Sequence, residues 1–134
     1  MKPNFSGEYI LNRSASVLGA AASSIATALL RIDHDEPRFR CSGRFATVAD
    51  AFEFTFELFT DGREGSTGHW QEDALITEFR IGTPEAPAVM TWRYELSDAG
   101  RRLRATERIC GGGRDQDNVW EFRRSEEVLD TTTE

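Results

Sequence analysis

Lysine is almost missing from this chain. Its 16 basic residues include one lysine, Lys2, and the rest are arginine. The 23 acidic residues outnumber them and set a formal net charge of −7 over 134 residues. A nucleic-acid partner or an anionic membrane surface calls for a dense basic face, so neither is expected. The abundance of arginine and alanine reads as genome base composition. Cysteine and histidine are scarce as well, at two each. Cys41, Cys110, His34 and His69 stand far apart, while a metal centre needs three or four convergent ligands. No metal, and no other cofactor, is expected. The cysteines read as free thiols in a reducing cytosol. No apolar run approaches the roughly 20 residues that cross a bilayer as a helix, so membrane insertion is not expected. There is no Gly-x-Ser-x-Gly elbow and no phosphate loop, since Gly111-Gly112-Gly113 lacks the Lys-Ser/Thr that would follow. Met1-Lys2-Pro3-Asn4 leads into a strand-like pattern instead of a signal core, and the expected location is the cytoplasm.

What the chain has in quantity is period-two alternation. Phe39, Cys41, Gly43 and Phe45 alternate with Arg38, Arg40, Ser42 and Arg44. Phe52, Phe54, Phe56 and Leu58 alternate with Glu53, Thr55 and Glu57. The same rhythm recurs around Tyr9, Ile32, Phe79, Trp92, Ala105 and Trp120. Successive side chains of a strand point to opposite faces, so each segment has one apolar and one polar side. Turn signals separate the runs: Asp61-Gly62 as a hairpin, then Glu72-Asp73, Pro84 to Pro87, and Ser97-Asp98-Ala99-Gly100. Residues 14–29 break the rhythm. They are rich in alanine, and Val17, Leu18, Ala21, Ile25 and Leu29 share one helical face. One helix is therefore expected between the first and second strands, with Ser14 or Ser16 as its cap.

No strand is apolar on both faces, which excludes a parallel sheet covered by helices. One helix cannot cover eight or nine strands, so the sheet must cover itself. Short turns favour a meander closed into an up-and-down barrel over a sandwich. The predicted architecture is all-β: one antiparallel barrel of 8–10 strands over residues 1–125, then an acidic flexible tail over 126–134. Arg38, Arg40 and Arg44 would lie outside beside Glu53 and Glu57, as a solvated face.

Asn4-Phe5-Ser6-Gly7-Glu8-Tyr9-Ile10-Leu11-Asn12 resembles the first strand of lipocalins and fatty-acid-binding proteins, where Gly-x-Trp closes the barrel floor. Tyr9 stands at the tryptophan position. Gly68-His69-Trp70-Gln71-Glu72-Asp73-Ala74-Leu75 is similar to a Trp-x-x-Asp-x-Leu hairpin of bacterial lipocalin-like proteins, and Tyr94 to Leu103 resembles their next hairpin. The resemblance implies a calycin barrel with an interior ligand. It departs at the last strand. Fatty-acid-binding proteins carry Arg-x-Tyr there to hold a carboxylate, and this chain has Trp120-Glu121-Phe122-Arg123-Arg124. Fatty-acid binding is not carried over.

The inward parity would line the interior with Tyr9, Phe39, Phe45, Phe52, Phe54 and Phe56, and then with Phe79, Trp92, Tyr94 and Phe122. Such walls suit a small hydrophobic molecule held without a covalent bond, provided that a cavity of roughly 300 Å³ or more is open; small barrels are also commonly packed solid. The candidate ligand-binding set is Tyr9, Phe54, Phe56, Thr77, Phe79, Trp92, Tyr94, Glu107 and Phe122. Tyr94, Glu107 and Thr77 would orient the ligand. Glu107, between Ala105 and Ile109, is expected near a barrel mouth, wet or paired with an arginine. His34 is expected in a solvated loop, and His69 facing outward. Two other readings stay open. One is a barrel enzyme with Glu107 or a histidine as its acid–base group. The other is a ligand-free interaction protein, with a sheet edge or the alanine-rich segment as a homodimer contact.

Overall fold

The alternation builds nine antiparallel strands in a computed structural model that describes residues 2–20, 22–111 and 116–125. They are β1 (Gly7–Leu11), β2 (Thr27–Asp35), β3 (Arg38–Ala46), β4 (Ala51–Phe59) and β5 (His69–Gln71). The remainder are β6 (Ala74–Gly82), β7 (Pro87–Ser97), β8 (Arg102–Gly111) and β9 (Gln116–Arg124). All lie in one strongly curled sheet, in the order β4-β3-β2-β1-β9-β8-β7-β6-β5. The chain runs as a meander whose first strand pairs with both β2 and β9, through Tyr9 opposite Leu30 on one side and Arg124 on the other. Predicted faces and observed faces agree most clearly in β2, where Ala28, Leu30, Ile32 and His34 are buried between exposed neighbours. The acidic tail expected over 126–134 lies outside the described residues.

The curl leaves a seam. Among the described residues no backbone pairing joins β4 to β5. Asp61-Gly62 does not form the tight hairpin expected of it. Gly62 is left-handed (φ 80°), and Asp61 accepts from the Arg63 backbone N–H and guanidinium, so the chain makes a short 3-10 turn over Arg63–Gly65 and a wider loop. Side chains span the seam instead: Phe56 and Phe79 meet edge to face at 5.5 Å.

The helix expected over 14–29 does not form. Asn12 caps a single 3-10 turn, Arg13–Ala15, and the chain then extends so that Val17 pairs with Val119. The segment carries serines, a threonine and Gly19, all weak in a helix interior, and isolated helices of this length are marginal. Its last residues gain more by pairing: Thr27 to Asp35 bond to β3 throughout, and part of β2 also bonds to β1.

The closed end is packed with rings. Phe5 stacks on Trp70 and meets Phe39 edge on. Tyr9 is fully buried there, and its hydroxyl donates to the Phe5 carbonyl at 2.7 Å. Arg124 lies over the Tyr9 ring and donates to the same hydroxyl at 2.9 Å. Each fully buried ring stabilises the fold by about 1.5–3 kcal/mol. Outside, Arg44 pairs with Glu53 and Arg104 with Glu121, as exposed cross-strand pairs that contribute about 0–1 kcal/mol each. Among the described residues no helix is long and apolar enough to cross a membrane.

Candidate functional site

The inward rows of β2, β3, β4 and β6 to β9 do not fill the whole interior. They enclose a chamber of about 290 Å³. Phe54, Phe56, Phe79, Trp92 and Phe122 form much of its wall, with Leu30 and Ala105 between strands. A second, more open chamber of about 380 Å³ lies toward the mouth, where Ile25, Phe52 and Ile109 meet Glu107 and Asn118. Phe45, Phe54, Trp92 and Trp120 line both spaces. The inner chamber alone is at the lower limit for a ligand site, and the mouth chamber lies against it.

Beside the indoles of Trp92 and Trp120, the described inner wall carries Cys41 and Tyr94. Cys41 is buried, and desolvation pushes its thiol pKa up to about 12. The Tyr94 pKa is raised well above the ordinary phenol value, first by burial and then by the charges of Cys41 and Glu107, so Tyr94 stays a donor. Its hydroxyl has no hydrogen-bond partner among the described residues. Among the described residues no polar side-chain atom sealed from solvent lacks a partner, and Tyr94 lines the chamber.

Glu107 sits on β8 with 8% of its surface exposed. Its Oε1 accepts from Asn118 Nδ2 at 3.0 Å and from Trp120 Nε1 at 3.1 Å. Oε2 has no partner among the described residues, and the residue lines the mouth chamber. The mouth position was expected; the partners are neutral side chains of β9 instead of an arginine. Asn118 in turn accepts the Gly19 backbone N–H at 2.6 Å. Residues 16–19 are thereby tied along β9, with Val17 bonded to Val119 and Ser16 Oγ accepting from the Glu121 N–H. Ala22, Ser24 and Ile25 continue this strap along the mouth.

Of the remaining candidates, Thr77 is buried but engaged with Thr67 (3.2 Å), and Tyr9 belongs to the floor; neither lines a chamber. His69 is exposed, as expected. His34 is not a solvated loop residue. It ends the inward row of β2 and is buried, with the Phe5 N–H donating to Nδ1 at 3.1 Å and Nε2 facing Glu36 Oε1 at 2.8 Å. An accepting Nδ1 puts the ring proton on Nε2. Glu36 Oε2 also accepts from Thr60 and Trp70. Burial would raise the Glu36 pKa, but the hydrogen bonds from His34, Trp70 and Thr60 outweigh it and hold that pKa below the usual carboxylate range. This network locks the closed end. Glu107 lines the mouth chamber and His34 a separate cleft with Ser6 and Arg38, so these described cavities do not bring the two together.

Sequence reasoning missed Trp120, Asn118 and Met90 as site residues. Trp120 was legible from its inward parity beside Phe122. Asn118 shares that parity, two residues before Trp120 and directly opposite Glu107.

No protein-family model matches the sequence, and no curated protein does. Among solved structures, secretory abundant heat soluble protein 4 from Ramazzottius varieornatus is similar at a TM-score of 0.46 and 9% identity, covering 93% of this chain and 98% of that one. The curled antiparallel sheet fits a calycin-like barrel loosely.

Proposed function

We propose that this protein binds a small hydrophobic molecule, without a covalent bond, inside the curled sheet. The observation that carries the reading is the pair of adjacent chambers, which share four wall residues. Their walls are mostly aromatic and aliphatic, and the Tyr94 hydroxyl is the inner oxygen left to a ligand. Apolar walls with one or two fixed polar groups suit a ligand whose body drives binding and whose polar atoms set its orientation. Among the described residues no cation lines either chamber, so a fatty-acid carboxylate finds no counter-ion among them.

Native mass spectrometry of freshly purified protein tests for a carried molecule. Titration with the neutral probe N-phenyl-1-naphthylamine, read by its fluorescence, tests the space itself. Uptake is expected at one site, with affinity reduced about tenfold or more in Ala105→Leu, whose added carbons enter the inner chamber. Absence of uptake by the wild-type protein, or an Ala105→Leu variant that folds and binds unchanged, would overturn the proposal.

A further inference from the structure

We infer that the ligand is an organic cation, an apolar body bearing a protonated amine, with the amine held at the mouth by Glu107. The inference rests on the binding reading above and names its ligand class. Glu107 is a carboxylate more than nine-tenths buried, and both hydrogen bonds it accepts come from neutral donors, Asn118 and Trp120. Both fall on Oε1, which leaves Oε2 toward the mouth chamber. A buried carboxylate is costly unless it is paired, and among the described residues no arginine or lysine lines either chamber. The missing counter-charge is therefore one that a ligand can supply.

The surroundings suit a cation for a second reason. Trp92 stands directly opposite Glu107 on the neighbouring strand, and Trp120 donates to it. Phe45 meets Trp120 edge on at 5.1 Å. These rings and Phe54 line both chambers. Aromatic faces attract organic cations through their quadrupoles, most strongly where water is excluded. The apolar body then extends into the inner chamber toward Tyr94, whose hydroxyl can donate to an oxygen or nitrogen of the ligand. A carboxylate ligand would meet Glu107 as a like charge, and an alcohol would give up the ion pair.

Three probes sharing one body separate these cases: 2-(2-naphthyl)ethylamine, 2-(2-naphthyl)ethanol and 2-naphthylacetate. They are titrated at pH 7 by calorimetry into the wild-type protein and into Glu107→Gln, which keeps the shape and an acceptor for Asn118 and Trp120. The expected result is an amine bound about tenfold or more tightly than the alcohol, with the acetate weakest. Glu107→Gln is expected to remove that preference, because the amine then loses its counter-charge. Equal binding of amine and alcohol by the wild-type protein would overturn the inference even if the variant failed to fold. A preference that survives in folded Glu107→Gln would also overturn it. If all three probes and N-phenyl-1-naphthylamine fail to bind, the binding proposal itself falls; if the alcohol and the neutral dye bind with no preference for the amine, only the cation assignment does.

Discussion

Asn118 joins two parts of the molecule that are 99 residues apart in sequence: its side-chain oxygen accepts the Gly19 N–H at 2.6 Å while its amide donates to Glu107 at 3.0 Å. The strap along the mouth and the buried carboxylate therefore share one side chain. Replacing Asn118 by alanine leaves a backbone donor and a carboxylate oxygen each short of a partner, at a cost of about 1–3 kcal/mol. Asn118→Ala is expected to lower stability by that amount in urea unfolding and to speed amide exchange at Gly19 beyond the global change. Unchanged exchange at Gly19 relative to the rest of the chain would remove Asn118 as the tie.

Glu36 predicts the behaviour of the closed end in acid. Its folded pKa is depressed, so its contribution is present above the unfolded value and is lost as pH falls through the folded one. Glu36→Gln offers one acceptor oxygen where His34, Thr60 and Trp70 present three donors. The variant is expected to be about 1–3 kcal/mol less stable at pH 7. Its stability should also fall less steeply than that of the wild type below the ordinary glutamate value of 4.5. Parallel acid limbs in the two proteins would contradict the network.

The alkaline side rests on Cys41. Its folded pKa of about 12 lies above the ordinary thiol value of 9.0, so its contribution is complete below 9.0 and is lost as pH rises toward 12. Buried Tyr94 shifts in the same direction, with its loss starting from the ordinary phenol value of 10.0. Cys41→Ala should flatten the fall in stability that begins above pH 9. A thiol reagent at neutral pH should label exposed Cys110 at once and Cys41 at the rate of opening. Prompt labelling of both thiols would place Cys41 outside a sealed wall.

The strands were legible because each burial choice repeats every second residue, and an error of one position would turn Leu30, Ile32 and His34 outward together. The same regularity placed Phe54, Phe56, Phe79, Trp92, Tyr94, Glu107 and Phe122 along the chambers. It could not place Tyr9 and Thr77, whose inward side chains are taken up by Phe5, Arg124 and Thr67. The strap was misread as a helix because amphipathic spacing is local, whereas the pairing of Val17 with Val119 lies at a separation no periodicity reports. His34 was misread for a related reason. Asp33-His34-Asp35-Glu36 looks like solvated turn chemistry, yet parity along β2 turns His34 inward and the Phe5 N–H reaches it from the segment just before β1.

Gly43 bears on how a ligand enters. A side chain there would put its Cβ 2.4 Å from Phe54 Cζ and 3.0 Å from Leu30 Cδ2, because the Phe54 ring of β4 lies over the glycine opposite it on β3. Phe54 lines both chambers and keeps 36% of its surface exposed at the edge strand, so its ring is the part able to give way. Gly43→Ala is expected to swing that ring off its seat, at a cost of about 1–3 kcal/mol in stability. If Phe54 shields the chambers at the β4 edge, stopped-flow release of N-phenyl-1-naphthylamine should quicken in Gly43→Ala, and Phe54→Ala should change it in the same direction. Faster release in both variants with little change in association would assign Phe54 to retention of the bound molecule. Release unchanged in Phe54→Ala would instead leave the strap along the mouth as the barrier to exit.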